Sequence, residues 1–178
     1  MIRSLGMSLV ALVTALGSVW MVTTSSALAA DNYVMPQELV EKARASDCEQ
    51  VKDFYKRPGL VGPPYAFWST ADGDEAGVAF WCQKERGEAL EYMLLIENRT
   101  KHSPFWGCAS TIRTKNYPGG LAVRPEKKLK LDAFVAIRDP RKRGPSAPLR
   151  KPALISEYDG TAEIFYCHDG EWLVSVRH

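Results

Sequence analysis

Four cysteines and three histidines are all that 178 residues offer for thiol, metal or imidazole chemistry. None of the cysteines sits in a C-x-x-C pair, and only Cys167 has a histidine beside it, His168, so zinc-site spacing is missing and no metal or cofactor is expected. The G-x-S-x-G elbow, the H-E-x-x-H helix, the P-loop and the G-x-G-x-x-G turn are absent, which removes the motif evidence for hydrolase, zincin and nucleotide chemistry. The loop sequence TADGDEAG brings Asp72, Asp74 and Glu75 together. It lacks the rest of an EF-hand and its closing glutamate, so it reads as a polar hairpin loop rather than a calcium site. Beyond the first thirty residues there is no apolar run long enough to span a bilayer.

Those first thirty residues have the layout of a secretory signal. Arg3 precedes the uncharged run SLVALVTALGSVWMV, and Ala27 and Ala29 form an A-x-A cleavage pattern before Asp31. Residues 1–30 are therefore expected to be removed, leaving 31–178 as one domain, periplasmic or secreted. The four cysteines Cys48, Cys82, Cys108 and Cys167 all lie in that part. An even number in an exported chain of this size reads as two disulfides, which leaves no thiolate nucleophile. Three pairings are open. Cys48–Cys82 with Cys108–Cys167 is favoured, because the first would tie a helix to the sheet and the second would join early and late strands.

Helical spacing is confined to residues 31–59. Pro36 suits a first helical turn, and Leu39, Val40 and Ala43 repeat on one side. Ser46 and Glu49 have capping-box spacing, so the stretch is expected as two helices or as one broken near Ser46, the second part carrying Cys48, Val51, Phe54 and Tyr55 and ended by Pro58-Gly59. From Tyr65 the pattern changes to period two. Residues 65–69, 77–83, 90–97, 106–113, 129–138, 152–158, 162–168 and 171–177 read as strands. Asp169-Gly170 and Asp159-Gly160 are hairpin turns, the first of type I′, and the last three strands form a meander. The expected fold is α+β: an N-terminal helix or helix pair on a twisted antiparallel sheet of about six to eight strands, with a curl toward a barrel as a variant. A β-sandwich with a peripheral helix is the alternative. Trp68, Trp81, Trp106 and Trp172 are each expected in the core, where large aromatics supply much of a small domain's burial.

Charge is uneven where composition is not. Residues 31–178 are close to neutral, yet residues 124–151 hold ten cations against Glu126, Asp132 and Asp139. Within that stretch, RDPRKRGPSAPLRKP (138–152) is rich in proline and has no aromatic residue. It reads as a long extended loop whose cations Arg138, Arg141, Lys142, Arg143, Arg150 and Lys151 face water and could hold an anionic envelope component or an acidic protein. The competing reading is a solvated loop that guards strand edges or folds onto an acidic surface. Nucleic acid is not expected, because the stretch lacks basic–aromatic interleaving and the chain is exported.

The expected role is a small exported binding or envelope-associated protein. An inhibitor or accessory protein of another enzyme, using a hairpin loop such as 70–77, is the second option. A hydrolase built on His168 with Glu163 or Glu171 is the third.

Overall fold

The fold was analysed in a computed structural model that describes residues 34–87, 89–116, 118–125 and 129–178. The expected signal segment 1–30 lies outside the described residues, as do Glu88, Tyr117, Glu126, Lys127 and Lys128. Among the described residues no helix is long and apolar enough to cross a membrane.

One α-helix, α1 (Gln37–Ala45), opens the fold, with Pro36 at its N-terminal boundary. The expected second helix is not formed. Asp47 takes a left-handed backbone (φ 56°), and the chain leaves the helix into the two-residue strand β1 (Glu49–Gln50) and a 3₁₀ turn at Phe54–Lys56. Two carbonyls at the end of α1 explain the stop: Ala43 O accepts the amides of both Ser46 and Cys48, and Arg44 O accepts that of Asp47. That closes the helix and points Cys48 at the sheet.

Strands β2 (Tyr65–Ser69), β3 (Glu75–Arg86), β4 (Ala89–Asn98) and β5 (Thr111–Thr114) follow, then β6 (Gly120–Arg124), β7 (Val135–Ala136), β8 (Ala153–Tyr158), β9 (Thr161–His168) and β10 (Glu171–Arg177). They form two five-stranded antiparallel sheets, not one of six to eight, and neither closes into a barrel. In the first, β1 and β2 pair with successive parts of β3, which continues to β4 and β5. The second has the order β6-β8-β9-β10-β7. The expected meander is β8-β9-β10. Both of its Asp-Gly turns have positive φ at each central residue, as type I′ geometry requires.

The sheets share a core. Trp68, Ala79, Trp81, Leu94 and Ile112 of the first meet Leu121, Leu154, Phe165 and Trp172 of the second. The outer faces are also covered, so both faces of the central strands are apolar. Helix α1 lays Leu39 and Ala43 on Val78, Phe80, Met93 and Leu95. The outer face of the second sheet is covered by residues 129–149.

One side of the sandwich is closed by contact between backbones. The Leu121 amide donates to Pro63 O at 2.7 Å. A Cβ on Gly120 would stand 1.6 Å from Val61 O, so only glycine permits this approach. At another point the segment 99–110 inserts Phe105 between Trp68 and Trp172, with ring centroids 4.9 and 5.5 Å apart. Sequence periodicity had placed a strand over 106–113, but only Thr111–Thr114 is one. Before it, Cys108 and Ala109 pack against the core beside Phe105 instead of joining the ladder. Both favoured disulfides are present, Cys48–Cys82 under the helix and Cys108–Cys167 between the plug and β9.

Candidate functional site

The cationic stretch does not stand away from the molecule. Residues 129–149, here the strap, lie across the outer face of the second sheet. Leu131, Phe134 and Leu149 are buried there against Ala153, Ile155, Ile164, Tyr166 and Leu173. Sequence analysis expected a continuous strand over 129–138. The structure instead has a 3₁₀ turn at Leu131–Ala133 and only Val135–Ala136 in the ladder, paired with Val174 and Leu173 of β10. The reason lies in the apolar spacing. Leu131 and Phe134 are three apart, which a turn can aim at one surface and a straight strand cannot.

The strap is a folded-back, irregular hairpin. The Leu149 amide donates to Leu129 O (3.1 Å), the Leu131 amide to Ala147 O (2.6 Å), the Gly144 amide to Phe134 O (3.0 Å) and the Ala136 amide to Lys142 O (2.9 Å). Gly144 is required, since a Cβ there would come within 2.2 Å of Leu131 O. At the tip, the Lys142 amide donates to Asp139 O and the Arg141 amide to Asp139 Oδ1. Asp at the first position and Pro140 at the second are the residues that such a turn favours. That signal stands in the sequence as Asp139-Pro140.

This architecture divides the six cations. Arg138, Arg141, Lys142 and Arg143 flank the turn. Arg150 and Lys151 lie beyond the opposite, open end of the hairpin, where their backbone amides converge on the Tyr166 hydroxyl at 3.2 and 3.4 Å. All six side chains belong to exposed residues. Lys142 pairs with Glu171, whose hydrogen bond and charge raise the Lys142 pKa. Arg138, Arg141, Arg143, Arg150 and Lys151 make no ion pair among the described residues.

The helix side is different. Glu97 bonds Lys42 and Arg99, and Arg99 also reaches Glu38 and Glu75. Desolvation pushes the Glu97 pKa up, but the hydrogen bonds and charges of Lys42 and Arg99 outweigh it and hold it below the ordinary value.

The other candidates are not assembled into sites. His168 faces Glu171 across the hairpin as expected, but Glu171 is engaged by Lys142, while His168 stacks on Tyr166 and approaches Asp169 (3.4 Å). Glu163 pairs in register with Val176 at the far end of β9 and bonds Asn116. Five residue rises along the strand, about 17 Å, separate it from His168. Asp72 and Asp74 are exposed in the β2–β3 turn, and Glu75 serves Arg99. Among the described residues no group of three or more His, Cys, Asp or Glu side chains is placed to hold a metal ion. Trp68, Trp81 and Trp172 are buried, but Trp106 is 54% exposed, which corrects the expectation that all four are core. Phe105, its neighbour, takes the interior place.

No family model matches the chain, and neither a curated protein nor a solved structure matches it. The functional reading therefore rests on the residues and their geometry.

Proposed function

We propose that this protein is a small exported binding module that holds an anionic envelope component through the cations of its strap. The observation that carries this reading is the set of five exposed cations without an ion pair among the described residues, Arg138, Arg141 and Arg143 at the turn of the strap and Arg150 and Lys151 just past its end, on a segment whose apolar anchors are buried. A strap held by its own core loses little conformational freedom on binding, so its cations are preorganised for multivalent contact. Arginine predominates, which suits bidentate contact with phosphate or carboxylate. Two disulfides fit an oxidising, extracytoplasmic compartment.

The test is retention of the oxidised protein, residues 31–178, on immobilised lipopolysaccharide and on dextran sulfate across a salt series. The comparison protein carries glutamine at positions 138, 141, 142, 143, 150 and 151. Salt-sensitive retention that is lost in the variant is the expected result. Equal retention of the two proteins would refute the proposal.

A further inference from the structure

The tip of the strap combines basic residues, exposure and a backbone that little holds down. Residues 138–143 are exposed without a break, and Arg141, Lys142 and Arg143 run together among them. The turn has Asp139 first, Pro140 and Arg141 at its central positions and Lys142 last, closed by the Lys142 amide on Asp139 O at 2.9 Å. Exposed loop tips are preferred sites of proteolytic cutting, and the rate follows how readily the segment opens. Opening this tip breaks four polar contacts: that turn bond, the Arg141 amide on Asp139 Oδ1, the Ala136 amide on Lys142 O and the Lys142–Glu171 ion pair. No buried apolar side chain has to leave its place. Other bonds after cations are poorer targets. Arg57 and Lys151 precede Pro58 and Pro152, and a ring on the leaving nitrogen obstructs attack. The Gly144 amide after Arg143 is bonded to Phe134 O at 3.0 Å, in a place with no room for a side chain beside Leu131 O.

We infer that the Arg141–Lys142 bond is a cleavage site for a trypsin-like endopeptidase, and that the cut protein is a folded two-chain molecule. The exposed Arg141 guanidinium is the recognition element and suits the acidic specificity pocket of such an enzyme. Arg138 is the weaker choice, because Asp139 follows it and brings like charge toward that pocket. The step is hydrolysis. The bond between the Arg141 carbonyl carbon and the Lys142 nitrogen breaks, water supplies the oxygen of a new carboxylate on Arg141, and Lys142 becomes a new amino terminus. The fold is arranged to survive this cut. Leu131 and Phe134 bury the arm before the tip, and Leu149 fastens the arm after it. Cys108 lies before the cut and Cys167 after it, so their disulfide joins the two chains covalently. Cys48–Cys82 lies wholly within the first chain. Cleavage therefore divides Arg138 and Arg141 from Lys142 and Arg143 without releasing either arm. The inference concerns the backbone of the tip and is independent of the anionic contact proposed for the strap.

The test is limited digestion of the oxidised protein, residues 31–178, with a trace of trypsin, followed by mass spectrometry with and without reductant. The first product should carry the mass of one added water and stay a single species until it is reduced. Reduction should then release the chains 31–141 and 142–178. The circular dichroism of the cut, unreduced protein should match that of the intact one. Arg141→Gln should slow the loss of intact chain by about tenfold or more, since the remaining basic positions at the tip are held by Glu171 and Phe134 or followed by Asp139. Mapping the first product uses the unaltered protein, so it does not depend on how the variant folds. A first cut at another bond, an Arg141→Gln protein cut at the unaltered rate, or loss of the native spectrum on cutting would each overturn the inference. None of these results bears on whether the intact strap retains lipopolysaccharide or dextran sulfate.

Discussion

Helix α1 and the strap do the same mechanical job on opposite sides of the molecule, and they treat charge in opposite ways. Each covers the outer face of a five-stranded sheet with a few buried apolar residues, Leu39 and Ala43 on one side, Leu131, Phe134 and Leu149 on the other. Around the helix, Lys42, Arg99, Glu38, Glu75 and Glu97 answer one another, and Cys48–Cys82 fastens the end of the layer. The strap has no disulfide, and Arg138, Arg141 and Arg143 on it, with Arg150 and Lys151 just past it, are unanswered among the described residues. A layer needed only for burial gains nothing by concentrating like charges. The contrast teaches that a covering layer can answer its charges or leave them facing water, with the strap's apolar side serving the fold and its cationic side exposed.

The largest test of this contrast removes the covalent fastening. Replacing Cys48 and Cys82 by serine should lower stability by roughly 2–5 kcal/mol, and replacing Cys108 and Cys167 should do the same. The sequence separations are 34 and 59 residues. The longer loop should add only about 0.5 kcal/mol to the second loss. Urea denaturation of each serine pair measures this, and an unchanged midpoint would show that the helix layer does not depend on its disulfide.

Of the same size are the anchors. Phe134→Ala should cost about 3–5 kcal/mol and Leu39→Ala about 2–5, both measurable by urea denaturation. A loss below about 0.5 kcal/mol for Phe134→Ala would mean that the strap is a solvated loop and the two layers are not equivalent.

A smaller effect concerns the answered charges. Glu97 is part-exposed, so Glu97→Gln should cost about 1 kcal/mol or less at neutral pH. Because the Glu97 pKa is depressed in the folded state, its stabilisation is present above the unfolded carboxylate value and is lost as pH falls through the lower folded value. Thermal unfolding below about pH 4.3 should therefore fall less steeply in Glu97→Gln than in the unaltered protein. Equal slopes would remove Glu97 from the account.

The smallest effect on stability should come from the strap cations themselves. Glutamine at all six positions removes one ion pair, Lys142–Glu171, and relieves mutual repulsion, so the change should stay within about 0.5 kcal/mol. A marked fall in melting temperature would mean that these cations serve the fold.

Much of this was legible in the residues. The strands near 65–69, 77–83, 90–97, 152–158, 162–168 and 171–177 and the Asp-Gly hairpins follow from local periodicity and turn chemistry, whereas those expected over 106–113 and 129–138 shrink to short pieces and the disulfide pairing was only the favoured one of three. The short edge strands β1 and β6 were missed, since two to five residues hold too little periodicity to stand out. Trp106 could not be told from its buried namesakes, because strand alternation does not extend through the plug at 99–110.

By itself the sequence determined the β-rich composition, the two cross-links, the hairpin turns and the charge imbalance, because each depends on neighbouring residues or on simple counts. Only the tertiary structure decided that there are two sheets rather than one and that the cationic stretch is fastened over the second. It also decided that Arg141 stands at an exposed tip between two fastened arms. Those outcomes depend on which apolar faces meet across the core, and burial is set by partners far away along the chain.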